Sequence, residues 1–276
     1  MKAGVVSMIY AASALQNTNI ETCDIELLIT PDEEIGSPIS RQVIEKRAKN
    51  ALAVFNLESG RPDGSVVTSR RGSSHFKFTI QGKASHSGVA IEKGISAVDE
   101  LAYKIIEMKK LNNKEKGITL NIGKVSGGTN GNVVAAEAIG AIHVGYSKNE
   151  DFKILKEKLN SIVSTSYISG TKNCLTGGEG ILPMEKHEGV EELFQIVKEA
   201  ALNLNITVDE KSEKGAADAG FVASLGVPIV CATGPIGGGW HTEDEYMEID
   251  SYIPRMKLLV DSIVLASNRM SNTLNR

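Results

Sequence analysis

Glu33 and Glu34 are adjacent at the end of an apolar run that closes at Thr30. Neighbouring side chains leaving an extended segment point in different directions, so one carboxylate can hold a metal while the other holds a proton. A third glutamate, Glu58, closes a second apolar run, Ala51 to Leu57. His241 sits in Gly237-Gly238-Gly239-Trp240-His241-Thr242-Glu243-Asp244-Glu245-Tyr246, where glycines permit close backbone approach and the acids that follow can orient an imidazole. Imidazole and carboxylate oxygens together make a zinc-type ligand set. His86, framed by small residues in Gly82-Lys83-Ala84-Ser85-His86-Ser87-Gly88, is accessible enough to donate to a developing oxyanion. Taken singly, each has a plainer reading: a solvated acidic loop, a polar loop with a chance histidine, an exposed surface histidine. His75, His143 and His187 lack a comparable frame and read as structural or surface residues.

The elements that must position these groups follow from periodicity. Met1-Lys2-Ala3-Gly4 runs straight into Val5 to Leu15, a nearly all-apolar helical stretch that should be buried and should need a neighbour this chain does not contain. Cys23 to Thr30 reads as a strand, Ser40 to Asn50 as a helix and Ala51 to Leu57 as a second short strand. Apolar strand, acidic loop, helix, strand, acidic loop is an α/β pattern, in which sites gather at the carboxyl ends of strands. From Gly72 the texture changes: His75-Phe76-Lys77-Phe78-Thr79-Ile80 alternates as a half-exposed antiparallel strand does. A helix near 95–110, strands near 118–125 and 138–146, a helix over 150–164 and a strand near 173–175 complete a ferredoxin-like order. After Pro183 come helices near 190–204 and 216–225, the strand Val227 to Cys231, a glycine-rich loop and a last helix over 251–267. The expected organisation is an α/β domain of residues 1–71 and 185–276 around an inserted α+β domain of residues 72–184.

Composition bounds the function. The 276 residues are 41% apolar and 23% charged, which excludes disorder, and 34 acidic against 30 basic side chains argue against a nucleic-acid or anionic-membrane partner. Three widely spaced cysteines, Cys23, Cys174 and Cys231, with no CxxC pair, read as buried free thiols in a reducing compartment. No membrane span or signal peptide is evident, so the cytoplasm is the expected location.

Six motifs in order then make a recognisable set: Asp32-Glu33-Glu34-Ile35-Gly36-Ser37, Leu57-Glu58-Ser59-Gly60-Arg61, the His86 segment, Asn132, Gly215-Ala216-Ala217-Asp218 and the His241 segment. Together they resemble the two-zinc metallopeptidase family that holds glutamate carboxypeptidase, aminoacylase, acetylornithine deacetylase and succinyl-diaminopimelate desuccinylase, the glutamate carboxypeptidase branch looking nearest. The resemblance implies a zinc-peptidase-like α/β catalytic domain, truncated at its N-terminus, with a ferredoxin-like dimerisation (lid) domain inserted. It implies that Glu33 is the general base that takes a proton from the attacking water and passes it to the leaving amine. Glu34 and His241 resemble ligands of one zinc and Glu58 a ligand of the other. His86 resembles the histidine that reaches the partner subunit's active site in a homodimer. Asn132 and Asp218 resemble substrate-holding residues. The implied activity is hydrolysis of an amide bond in a small peptide or N-acyl amino acid, with two zincs per subunit.

Departures from the family pattern carry their own expectations. Met1-Lys2-Ala3-Gly4 resembles the segment that directly follows the zinc-bridging aspartate, so that aspartate and an earlier His-x-Asp motif are expected upstream of Met1. An internal methionine taken as the start, an interrupted gene and deliberate trimming are the alternatives. The site would then be incomplete in this chain, and the rival reading is a non-catalytic, dimerising remnant. Where relatives carry an arginine at the end of a strand of the inserted domain, this chain has Gly145, which cannot pair with a substrate carboxylate. Leu182 likewise stands where some relatives have arginine.

Overall fold

A computed structural model describes residues 1–274. Along the chain run α1 (Lys2–Gln16), α2 (Ser40–Ala48), β1 (Val54–Phe55), β2 (Val66–Arg70), β3 (Gly72–Gln81), α3 (Ala97–Lys109), β4 (Thr119–Gly127) and β5 (Glu137–Tyr146). They are followed by α4 (Asn149–Ser164), β6 (Lys172–Ile181), α5 (Glu188–Asn203), β7 (Glu210–Glu213), α6 (Ala219–Ala223), β8 (Ile229–Val230), β9 (Gly237–Gly238), β10 (Tyr246–Met247) and α7 (Ile249–Leu274). These elements form two compact units, one of Met1–Arg70 with Leu182–Arg276 and one of Arg71–Ile181. The architecture is an α/β unit interrupted by an α+β unit.

The inserted unit is a β-α-β-β-α-β arrangement with an antiparallel sheet in the order β4-β5-β3-β6. The alternation in β3 decides which face is covered: Ser74, Phe76, Phe78 and Ile80 are buried while His75 and Lys77 are exposed. Phe78, Ile142 and Val144 from the sheet meet Leu101 and Met108 of α3 and Leu155 and Leu159 of α4 in one apolar core. Each such side chain contributes about 1.5–3 kcal/mol by burial. The register puts His75 opposite His143 on the other face, with ring centroids 5.0 Å apart.

An amphipathic reading of α3 would send its charges to solvent, yet Glu100 and Lys104 are fully buried as an ion pair at 2.8 Å. Lys104 Nζ donates to the carbonyls of Ile162, Val163 and Thr165 at the end of α4, and Glu100 accepts from the amides of Tyr167 and Ile168. The pair thus replaces water for carbonyls that a helix terminus leaves unpaired.

In the α/β unit, β1 pairs in parallel with β8, β2 in parallel with β7, and β9 antiparallel with β10. Leu193, Phe194, Ile196 and Val197 of α5 pack with Val66, Val230 and Leu258 of α7. Three expectations fail. Cys23 to Thr30 forms no strand and has no ladder partner among the described residues, and Ile25, Leu27, Leu28 and Ile29 stay exposed. Strand sequence supplies apolar side chains, whereas a strand also needs a neighbour to bond its amides and carbonyls. Helix α1 buries only the stripe Gly4, Ser7, Ala11 and Leu15, packing against α7, while Val6, Ile9 and Tyr10 are exposed. Of the cysteines only Cys231 is buried; Cys23 and Cys174 are exposed. No helix among the described residues is long and apolar enough to cross a membrane.

Candidate active site

The Asp32–Ser37 loop is folded by its own polar groups. Asp32 Oδ2 accepts from the amides of Ile39 and Ser40 at the start of α2, and Gly36 takes the left-handed conformation (φ 89°) that ends the single turn Glu33–Ile35. From the other side, Asp218 just ahead of α6 accepts from Thr30 Oγ1 at 3.1 Å and from Ser37 Oγ. Both Asp218 oxygens are therefore engaged by the loop, and burial pushes its carboxyl up from the ordinary range.

This double anchorage gives the paired glutamates different surroundings. Glu33 is half-buried, and its carboxyl is pushed up to about 7, first by burial and then by the charges of Glu58, Asp218 and Glu34. Glu34 projects into solvent, and its Oε1 lies 3.4 Å from His241 Nε2. Glu58 is half-buried at the end of β1, its amide held by Asn56 Oδ1 at 3.1 Å and its carbonyl accepting from the Gly234 amide at 3.0 Å.

His241 sits on the turn between β9 and β10. Its backbone is left-handed at φ 62°, a conformation uncommon for a residue with a Cβ. Thr242 closes the turn by donating from its hydroxyl to the Gly239 carbonyl at 2.7 Å and accepting from the Asp244 amide at 3.2 Å.

Donors each about 2.0–2.1 Å from a tetrahedral zinc stand about 3.3–3.4 Å apart, so the Glu34–His241 separation fits two ligands of one ion. Among the described residues no group of three or more histidine, cysteine, aspartate or glutamate side chains comes together in a metal-holding arrangement. What the chain brings together is one carboxylate–imidazole pair beside a half-buried carboxyl pushed up to about 7.

The remaining candidates lie in the inserted unit. His86 and Asn132 come together there: the Ser87 amide donates to the Asn132 carbonyl at 3.0 Å, and His86 forms a β-bridge with Val133. Both side chains are exposed, and His86 Nδ1 accepts from the Gly88 amide at 3.1 Å. At Gly145 an added Cβ would come within 2.7 Å of Thr119 Oγ1, so the cross-strand neighbour itself favours a residue without a side chain.

Sequence reasoning passed over a group of buried polar side chains behind Glu58. Arg70 donates to the Gly215 carbonyl at 3.0 Å and to Cys231 Sγ at 3.2 Å. Arg61 lies 3.1 Å from Glu213 and under the ring of Trp240 at 4.5 Å. The signal available was the position of Arg61, three residues beyond Glu58.

The chain is similar to several known proteins. Residues 68–171 match the Peptidase dimerisation domain family. Carboxypeptidase G2 from Pseudomonas sp. (strain RS-16) is 29% identical over 252 residues, covering 87% of this chain and 59% of its own length. The crystal structure of aminopeptidase PepT from Bacillus cereus superposes with a TM-score of 0.78 at 27% identity, over 96% of this chain and 70% of that one. The Bacillus subtilis YXEP protein, described as a dinuclear metal binding peptidase, shares the fold with a TM-score of 0.73 at 17% identity, over 96% of this chain and 72% of that one. The chain spans less than two thirds of the length of carboxypeptidase G2. Residues 68–171 thus match a peptidase dimerisation domain, and the chain as a whole is similar to M20 peptidases in sequence and fold.

Proposed function

We propose that this protein is a zinc-dependent amide hydrolase acting on small peptides or N-acyl amino acids, working as a homodimer in the cytoplasm. The observation that carries the proposal is the approach of Glu34 to His241 beside Glu33, whose carboxyl is pushed up to about 7. Glu34 and His241 would hold one ion and Glu58 would contribute to a second. Bound zinc supplies Lewis acidity toward the amide carbonyl and lowers the pKa of water. Glu33 takes up a proton at its carboxylate and returns it to the leaving amine, a role that needs a pKa near the working pH. Asp218, proposed as a substrate-holding residue, also keeps Glu33 and Glu34 in register by accepting from Thr30 and Ser37 at both ends of their loop. His86 is proposed as the oxyanion donor, and Asn132 as a substrate-holding residue, of the partner subunit's active site in the homodimer. Residues 1–71 and 185–276 would be the catalytic domain and 72–184 the lid.

The absence of a three-donor group among the described residues favours a second reading, a dimerising protein that binds metal weakly and does not turn over. Zinc stoichiometry and cleavage of a panel of dipeptides and N-acyl amino acids separate the two. The hydrolase reading expects metal uptake with turnover, and expects Glu33→Gln to abolish turnover while leaving metal content nearly unchanged. A purified chain that neither binds zinc nor cleaves any member of the panel supports the second reading.

A further inference from the structure

His241 presents a problem of placement. Its ring is largely solvent-exposed, its backbone is left-handed, and the Glu34 carboxylate approaching it is equally exposed. Nothing in that pair fixes the direction of the imidazole. The rigidity must come from elsewhere, and the preceding residue, Trp240, leads to it.

Trp240 is 38% exposed and is the only tryptophan in the chain. Beneath its ring lies the Arg61 guanidinium, with the central carbon 4.5 Å from the ring centroid. The Arg61 side chain is itself 8% exposed and sits against Glu213 Oε1 at 3.1 Å, at the end of β7. Cation and ring attract at this distance, more strongly where water is excluded, and a planar guanidinium stacks where a lysine ammonium cannot. The backbone adds a second link between the same two segments. The Gly60 amide donates to the Pro235 carbonyl at 2.8 Å and the Gly237 amide donates to the Gly60 carbonyl at 3.2 Å. Gly60 has no room for a side chain, since a Cβ would come 2.7 Å from the Gly234 carbonyl oxygen.

We propose that Arg61 is a positioning residue: held by Glu213, it forms the platform on which Trp240 stacks, and that stack aims His241 at Glu34. The inference rests on the metal-ligand reading of His241 for its consequence and on the Arg61–Trp240 contact for its geometry. Groups that hold a ligand from behind typically change metal affinity 10- to 100-fold when removed.

The test uses the full chain and two readouts. The first is acrylamide quenching of Trp240 fluorescence in the metal-free protein, which reports the stack directly because no other tryptophan emits. The second is Zn(II) affinity by calorimetric titration. Arg61→Ala should raise the quenching constant about twofold, as the inner face of the ring opens to solvent, and weaken Zn(II) binding about tenfold or more. Arg61→Lys should recover only part of either loss. Glu213→Gln, which leaves the arginine in place but frees it, should move both readouts in the same direction and decides the matter if Arg61→Ala does not fold. Unchanged quenching in a folded Arg61→Ala, or in Glu213→Gln, overturns the platform. Raised quenching with unchanged Zn(II) affinity overturns its role in aiming His241. Should the parent chain take up no Zn(II), the metal reading fails, and quenching alone then upholds or overturns the platform.

Discussion

Glu33→Gln in the metal-free chain tests the electrostatics of the acidic cluster without any substrate. In the folded protein the Glu33 carboxyl sits at about 7 against an ordinary 4.5. Between those values the folded state retains a proton that the unfolded chain has released, so stability falls as pH rises through the window, and the whole penalty is present above about pH 7. A tenfold change in protonation equilibrium is about 1.4 kcal/mol, which would put the penalty near 3 kcal/mol for a fully buried group. Glu33 is only half-buried, and solvent screening lowers the figure to about 1–2 kcal/mol. Glutamine carries no charge at any pH and escapes the penalty. The variant should therefore gain on its parent by about 1–2 kcal/mol between about pH 4.5 and pH 8. At roughly 2–4 °C per kcal/mol for a chain of this size, its relative Tm rises by roughly 2–8 °C. Thermal unfolding of both proteins in chelator at several pH values reads this directly. An offset between the two that stays constant across the window would refute the raised carboxyl and the crowding that produces it.

Two further outcomes follow from the same geometry. After burial, the Glu58 charge is the largest contributor to the raised Glu33 carboxyl, so Glu58→Gln should move the Glu33 titration downward, toward ordinary values; side-chain carboxyl NMR of the metal-free chain measures it, and an unmoved titration would take Glu58 out of the cluster. In the inserted unit, Lys104→Met strands a fully buried Glu100 and should cost about 3–5 kcal/mol in denaturant unfolding, whereas the double variant Glu100→Leu with Lys104→Met should lose clearly less.

What the sequence made legible is local or periodic. The alternation in His75 to Ile80 and the apolar stripes of the two inserted-unit helices predict β3, α3 and α4 because each pattern is read within one element. Glu33, Glu34 and His241 were grouped by the resemblance of their motifs to a known family, and of that group the structure shows Glu34 and His241 3.4 Å apart. What escaped depends on distant partners. Cys23 to Thr30 has a strand's composition without a strand's neighbour, and the two-residue strands β9 and β10, unlike β1 and β8 within their apolar runs, exist only through their pairing. Lys104 looks like a surface lysine until the end of α4 arrives to use its three protons. Arg61 acquires its place only where residues 213 and 240 meet it.

The acids of the first loop and of α6 divide their tasks by their hydrogen bonds. Asp32 is turned inward to the α2 amides, and Asp218 is turned to the hydroxyls of Thr30 and Ser37, so both serve the backbone. Glu33 and Glu34, one methylene longer, clear that anchorage and present their carboxyls beyond it. Because they are adjacent, the turn that exposes Glu34 to His241 necessarily directs Glu33 back toward Glu58 and Asp218. One loop conformation thus sets both a solvent-facing carboxylate beside His241 and a half-buried one whose carboxyl is pushed up. It follows that any substitution loosening the Asp218 anchor should disturb metal affinity and the Glu33 titration together, whereas a change confined to the His241 turn should disturb the first alone.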